Sequence, residues 1–337
     1  MSAKISLLIF FAAVLGLGFV TRKPAGALRM DHDFSNTLKG IAMFLVLYHH
    51  TGIYHSEELW YFFLSGWGFC GVSIFLFISG YGLMKSHMAK EYSYKAYFLR
   101  RFTAIWPGIV LCMIARWFLG PFMTISWSPT VNPLYLLGFY EWYILAITFW
   151  YAAFIVIVKQ TSSIREMYFV FFLVSICLLA ILDLLSGWTD KAALWGRFPF
   201  SFAMGVFLAG SGDRLLDFLD SRLLPITLIL LVAFGLSIHG PNVSVLLDLI
   251  TPALGLCAAV WIYRTGFNST LLTWMGKCSL FLYLLQVPLI KYGVFLVQWR
   301  RDALGILLTW SIVFSLSAVL HWMDRQIGVA IRPAVAA

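Results

Sequence analysis

Charged residues are scarce in this sequence. Only 12% of its 337 residues are charged and 61% are hydrophobic, whereas a soluble domain carries roughly 25% charged residues. So few charges cannot cover the water-exposed surface of a soluble protein of this length. The abundance of apolar side chains also excludes an intrinsically disordered chain. We therefore predict an integral membrane protein that crosses the bilayer several times.

Cysteine motifs typical of a metal or redox centre are missing. The five cysteines lie scattered in apolar stretches, without a CxxC or Cys/His spacing, at Cys70, Cys112, Cys177, Cys257 and Cys278. We interpret them as small packing residues and predict no metal site, while a buried disulfide stays open.

The net charge of +9 would suggest nucleic acid as a partner of a soluble protein. In a membrane protein such charges gather in cytoplasmic loops, so we predict no nucleic-acid partner.

Long polar connections are few, because apolar stretches occupy most of the chain. Eleven stretches approach or reach the roughly 20 residues of a spanning helix, namely 5–20, 36–54, 60–84, 98–119, 134–158, 166–186, 198–211, 223–239, 245–263, 278–297 and 303–322. The sequence therefore predicts an all-α, polytopic bundle of about eleven transmembrane helices. Residues 1–30 would form an extra N-terminal helix with a basic linker, and residues 31–337 a single transmembrane domain.

The first stretch has two interpretations. Ala25-Gly26-Ala27 resembles the cleavage site of a signal peptide, but Arg22 and Lys23 follow the apolar run directly. Such charges are unusual in a cleaved signal and favour a retained helix.

If the N-terminus lies outside, most of the 24 Lys and Arg residues fall in connections on the inner side. The positive-inside rule then predicts an outside N-terminus and a cytoplasmic C-terminus.

The second stretch carries the sharpest polar pattern. Lys39 and His50 are eleven residues apart, so on a helix both share one face, about 16.5 Å apart along the axis, and His49 points elsewhere. A neutral imidazole in a low-dielectric site is suited to act as a general base. The alternative is a histidine hydrogen-bonded between helices, with Lys39 extending to the membrane interface.

Other ionisable residues at membrane depth are also candidates for function. Glu141 lies inside the fifth stretch, at a depth comparable with that of His50. A carboxylate there would orient the imidazole and favour its charged form, and the alternative is a buried acid paired elsewhere. Arg116 and Lys291 are candidates for counter-ions.

Two arginines precede the fourth stretch. Arg100 and Arg101 would lie at the inner mouth of the helix, where such a pair can bind the phosphates of a cytoplasmic nucleotide through charge-assisted hydrogen bonds. The alternative is that they only anchor the topology. The glycines within residues 66–72 and 79–82 do not form a phosphate loop, and they favour close helix packing.

Five segments together resemble the membrane-bound acyltransferase type 3 family, over about residues 34–325. They are Lys39 followed by ten residues and His50, then Gly71–Tyr81, Tyr97–Pro107, Trp142-Tyr143-Ile144 and Trp274–Leu285. The resemblance rests on the five segments occurring in this order across nearly the whole chain.

The resemblance implies a fold and a reaction. It implies a ten-helix core, in the bacterial inner membrane, that transfers an acyl group from cytoplasmic acyl-CoA to a hydroxyl of a glycan or lipid-linked sugar. The donor would be acetyl-CoA. By the same resemblance His50 is the essential histidine, Lys39 its basic partner, and Arg100 and Arg101 face the acyl-CoA side. Because Lys39 lies far from His50 along the helix axis, we predict that it binds the donor together with the two arginines.

Three features depart from the family pattern. Ala104 replaces a common arginine, so Lys90 or Lys95 would complete the donor site instead; Gln286 stands where a histidine is common; and the first helix lies outside the ten-helix core. A transporter or flippase of a glycan or small molecule is the alternative function, because charged groups inside many spans suit it equally well. A scaffold that keeps the fold without the chemistry also stays open.

Overall fold

The computed structural model describes residues 32–55, 67–90, 93–119, 142–186, 199–211, 221–238, 244–265, 267, 269–292 and 303–336. The regular structure of these residues is helical, which confirms the predicted all-α class. In chain order the helices are α1 (His32–His55), α2 (Gly68–Ala89), α3 (Tyr94–Leu119), α4 (Trp142–Gln160), α5 (Ile164–Ser186), α6 (Pro199–Ser211), α7 (Leu223–Ile238), α8 (Ser244–Thr265), α9 (Thr270–Lys277), α10 (Ser279–Tyr292) and α11 (Ala303–Ala336).

The predicted stretches from residue 36 onward each correspond to one of these helices, and stretch 5–20 lies outside the described residues. Two details differ from the prediction. The short helix α9 precedes α10 and meets it at an angle of 83°, where the hydroxyl of Ser269 caps the start of α9. Helix α11 continues to Ala336, well past the predicted end at residue 322.

The outer surface of the bundle is apolar, as a bilayer requires. Phe169, Leu184 and Ile229 expose 66%, 73% and 68% of their surface, which suits contact with lipid tails. Among the described helices, those long and apolar enough to cross a membrane are α2, α3, most of α4, the first part of α5 and most of α11, and the bent pair α9 and α10 would add a sixth. The chain is therefore an integral membrane helical protein, and its total of about eleven spans stays a prediction.

Helix α1 lies inside the bundle although it is rich in polar residues. It packs against α2, α9 and α10, and most of its side chains are buried. Lys39, His49 and His50 lower its mean hydropathy, so α1 does not pass as a span on composition. Polar side chains at membrane depth are tolerated where protein rather than lipid surrounds them.

Two glycines let α1 and α9 approach each other closely. A Cβ on Gly40 would meet the backbone carbonyl of Leu272, and a Cβ on Gly276 would meet the backbone carbonyl of Asn36. Next to this contact the hydroxyls of Thr37 and Thr273 form a hydrogen bond of 2.8 Å. Small residues at helix crossings permit such packing in membranes, and the same contact fixes α1 relative to the α9–α10 elbow.

Candidate active site

Helix α1 carries Lys39 and His50 along one uninterrupted run from His32 to His55. The separation of about 16.5 Å predicted from helical geometry therefore applies. Both side chains are half-buried, so each keeps some exposure within the bundle. The two residues lie at two levels of the bundle, and different neighbours surround each.

The two adjacent histidines turn toward different helices. The imidazole of His50 interacts with the side chain of Gln286 on α10 and with the backbone of Val46, one turn earlier on α1. The ring of His49 instead lies 5.3 Å from the ring of Phe69 on α2. Helical geometry predicted this divergence, and it makes His50 the histidine that faces the α10 side.

The neighbour of His50 is Gln286, which stands in the sequence where a histidine is common in the family. Gln286 has no exposed surface. Neither its Nε2 nor its Oε1 reaches another described residue in full hydrogen-bond geometry, so its interaction with His50 is a loose one. In the sequence, Gln286 could have been singled out as a polar side chain within the apolar run Leu282–Ile290. A buried amide normally has a hydrogen-bond partner, so such a residue points to a polar neighbour on another helix.

Arg116 has a structural contact that its predicted role as a counter-ion did not anticipate. Its side chain is buried and donates from an Nη to the backbone carbonyl of Leu284 on α10. Pro288 lies four residues after Leu284 inside the same helix. Since proline has no N–H, the Leu284 carbonyl lacks its helical donor, and Arg116 supplies one.

The basic residues Lys39 and Arg101 come together at the other level of the site. Their charges are close enough to repel each other. The Arg101 guanidinium lies 5.7 Å from the ring of Tyr97 and 5.3 Å from the ring of Tyr151, and the Tyr97 hydroxyl donates to the Tyr151 carbonyl over 2.9 Å. Cation–π contacts thus hold Arg101 beside Lys39.

The two arginines of the predicted pair lie in different surroundings. Arg100 is exposed while Arg101 is half-buried and turned toward α1 and α4. Within the described part of the chain, neither Lys39 nor Arg101 forms a salt bridge with a carboxylate, and the Arg101 Nε is buried without a hydrogen-bond partner there. Two neighbouring cations without a neutralising acid form a site suited to an anion.

A cavity of about 470 Å³ opens at the same end of the bundle. Its polar lining includes His87, Lys90, Thr161 and Ser162, and only three residues separate Lys90 from the start of α3. Lys95 is exposed on the first turn of α3. Of the two lysines predicted to complete the donor site, Lys90 therefore lines this cavity and Lys95 does not.

Three of the segments singled out from the sequence meet around Tyr143. The ring of Tyr143 lies 5.9 Å from Phe75 and 5.1 Å from Tyr283, and its side chain interacts with Ser79. These residues belong to the second, fourth and fifth segments singled out from the sequence. Glu141 and the side chain of Lys291 lie outside the described residues, and the five cysteines are free thiols.

The segments singled out from the sequence thus meet around α1 and α10. A family model described as an acyltransferase domain matches residues 32–322, which include every helix from α1 to α10 and most of α11. The chain belongs to the acyltransferase type 3 family. It is therefore a membrane acyltransferase, and the resemblance inferred from the sequence is confirmed. No curated protein and no solved structure matches the chain.

Proposed function

We propose that this acyltransferase transfers an acetyl group from cytoplasmic acetyl-CoA to a hydroxyl of a glycan or lipid-linked sugar, with His50 as general base. The observation that carries the proposal is the arrangement on α1. Lys39 lies beside Arg101 at one level, and His50 faces Gln286 at another. The distance of about 16.5 Å between the levels suits a donor with an anionic end and a reactive thioester at the other end of a long arm.

The basic level is the proposed site for the nucleotide end of acetyl-CoA. Arg101 and Lys39 have no acidic partner among the described residues, so an anion can use both charges. His87 and Lys90 in the nearby cavity would bind further phosphate oxygens. Arg100, which is exposed, would contribute from the aqueous side.

The reaction follows from a base placed beside the thioester. A neutral His50 takes the proton of the acceptor hydroxyl as its oxygen attacks the thioester carbonyl. The tetrahedral intermediate then collapses, the carbon–sulfur bond breaks, and the CoA sulfur takes the proton from the imidazolium. The acetyl ester and free CoA are the products, and His50 returns to its neutral form.

Glu141 stays the proposed carboxylate partner of His50. It lies two residues before Tyr143 in the chain, and the Tyr143 ring contacts Tyr283 on α10, the helix that carries Gln286. A carboxylate near the base would stabilise the imidazolium formed during attack. The proposed setting is the bacterial inner membrane, with the N-terminus outside, the basic level in the cytoplasm and His50 toward the outer half.

Radiolabelled acetyl-CoA tests the function. We expect proteoliposomes supplied with glycans or lipid-linked sugars from a strain lacking the gene to move the label into an acceptor, as an ester that mild alkali cleaves. A transporter or a scaffold would leave the label on CoA, and that result would contradict the proposal. Mass spectrometry of surface glycans with and without the gene then identifies the acceptor as the sugar that loses an acetyl ester.

A further inference from the structure

The amide of Gln286 is a buried polar group that the proposed mechanism has not used. Its side chain has no exposed surface, and neither Nε2 nor Oε1 has a partner of full hydrogen-bond geometry among the described residues. Leaving such a group unsatisfied costs about 1–3 kcal/mol. A buried amide with unused hydrogen-bonding capacity next to a histidine therefore calls for a role beyond packing.

The position of this amide is held from two sides. Arg116 on α3 donates to the carbonyl of Leu284, two residues before Gln286 and at the point where Pro288 removes a helical hydrogen bond. On the same turn of α10, the ring of Tyr283, which directly precedes Leu284, lies 5.1 Å from the ring of Tyr143 on α4. These contacts fix the turn of α10 that presents Gln286 to His50.

We propose that Gln286 is a positioning residue that orients His50 for proton abstraction. This proposal rests on the proposed function, in which His50 is the general base. When the ring rotates toward the acceptor, the Gln286 Oε1 accepts the N–H of the neutral imidazole. The other ring nitrogen then carries the lone pair and faces the hydroxyl, because one hydrogen bond selects the tautomer.

An amide suits this task differently from a carboxylate. A carboxylate partner orients the imidazole and also stabilises its protonated form, as in serine hydrolases. The Gln286 amide is neutral, so it orients the ring while stabilising the imidazolium less than a carboxylate would. Its replacement by glutamate in the variant Gln286→Glu would keep the acceptor oxygen and add charge.

The test uses full-length protein with ¹⁵N-labelled histidine, and the His50 signals are assigned by their loss in His50→Asn. Nitrogen chemical shifts report the tautomer directly and need no acceptor sugar. We expect one dominant tautomer in the wild type and a mixture in Gln286→Leu. The matched control is Ser317→Ala, because Ser317 is also fully buried with an unpartnered oxygen but lies on α11; it should leave the His50 signals unchanged.

Kinetics with radiolabelled acetyl-CoA give the second measurement. Gln286→Leu should lower kcat about 10²-fold through misorientation and leave KM for acetyl-CoA unchanged. Gln286→Glu should keep the wild-type tautomer, and the acidic limb of its pH–rate profile should move to higher pH because the added charge stabilises the imidazolium. If Gln286→Leu does not fold, the pH–rate profile of Gln286→Glu tests on its own whether Gln286 acts on His50.

Specific results would overturn the proposal. Unchanged His50 signals and unchanged kcat in folded Gln286→Leu would show that Gln286 only fills space, as would an unshifted pH profile in Gln286→Glu. Failure of the proposed function gives a different pattern. In that case the wild type would leave the label on CoA, or His50→Ala would retain transfer, whatever the tautomer measured in the Gln286 variants.

Discussion

Arg116 donates to the carbonyl of Leu284, the carbonyl that Pro288 leaves without a helical donor. The contact joins α3 to the middle of α10 inside the bundle, where Arg116 is buried and bulk water does not replace a lost hydrogen bond. An arginine inside a span is costly unless it has such a partner. This arginine therefore stabilises the turn of α10 next to Gln286.

The contact between Arg116 and the Leu284 carbonyl can be tested by replacing Arg116 with Pro288 present and with Pro288 absent. Arg116→Leu leaves the Leu284 carbonyl unsatisfied and should lower the free energy of unfolding by about 1–3 kcal/mol, measured in detergent. In a Pro288→Ala background residue 288 regains an N–H that can serve Leu284, so Arg116→Leu should cost less there. Equal losses in both backgrounds would show that Arg116 does not act through that carbonyl.

Lys39 should weaken the unliganded fold and strengthen donor binding at the same time. Its charge repels that of Arg101, so Lys39→Met should raise the melting temperature of the free protein. The same variant should raise KM for acetyl-CoA about tenfold, because one charge-assisted contact to the donor is lost. Thermal unfolding and donor kinetics on the same preparation measure both effects.

The adjacent residues Arg100 and Arg101 allow the contribution of a half-buried arginine to donor binding to be compared with that of an exposed one. Arg101→Gln should raise KM more than Arg100→Gln, because Arg101 is half-buried beside Lys39 while Arg100 is exposed. Exposed charges are screened and contribute less. A larger effect of Arg100→Gln, or a melting temperature lowered by Lys39→Met, would contradict the assignment of the basic level.

The close contact between α1 and α9 should tolerate no extra methyl group. Gly276→Ala would place a Cβ against the backbone carbonyl of Asn36 and should destabilise the fold by about 1–3 kcal/mol, as overpacking does. The matched control is Gly82→Ala on α2, where a Cβ would meet nothing. Unfolding in detergent measures both variants, and similar stabilities would show that the contact is looser than described.

Much of the fold could be predicted because membrane helices leave long apolar runs in the sequence. The runs located α2 to α8 to within a few residues wherever the chain is described. The bend between α9 and α10 escaped prediction because the eight-residue helix α9 is too short to give a spanning run and lies before the predicted stretch 278–297. Hydropathy records where a chain is apolar and carries no information on the direction in which it continues.

In the candidate site, too, some features could be predicted from the sequence and others could not. Lys39 and His50 were placed on one face, and His49 on another, because helical periodicity within a single element requires it. The different surroundings of Arg100 and Arg101 depend on Tyr97 and Tyr151, and the meeting of Gln286 with His50 depends on how α10 packs. Such contacts between helices cannot be predicted from periodicity.

The central claim, that His50 abstracts the acceptor proton, is tested most directly by His50→Ala. Transfer of label from acetyl-CoA is measured in membranes of a gene-deleted strain that carries the variant, with His49→Ala as the matched control because His49 faces Phe69 instead. We predict that folded His50→Ala loses about 10²- to 10⁴-fold in kcat with KM for acetyl-CoA unchanged, and that His49→Ala keeps most activity. A folded His50→Ala protein with wild-type transfer would contradict the account.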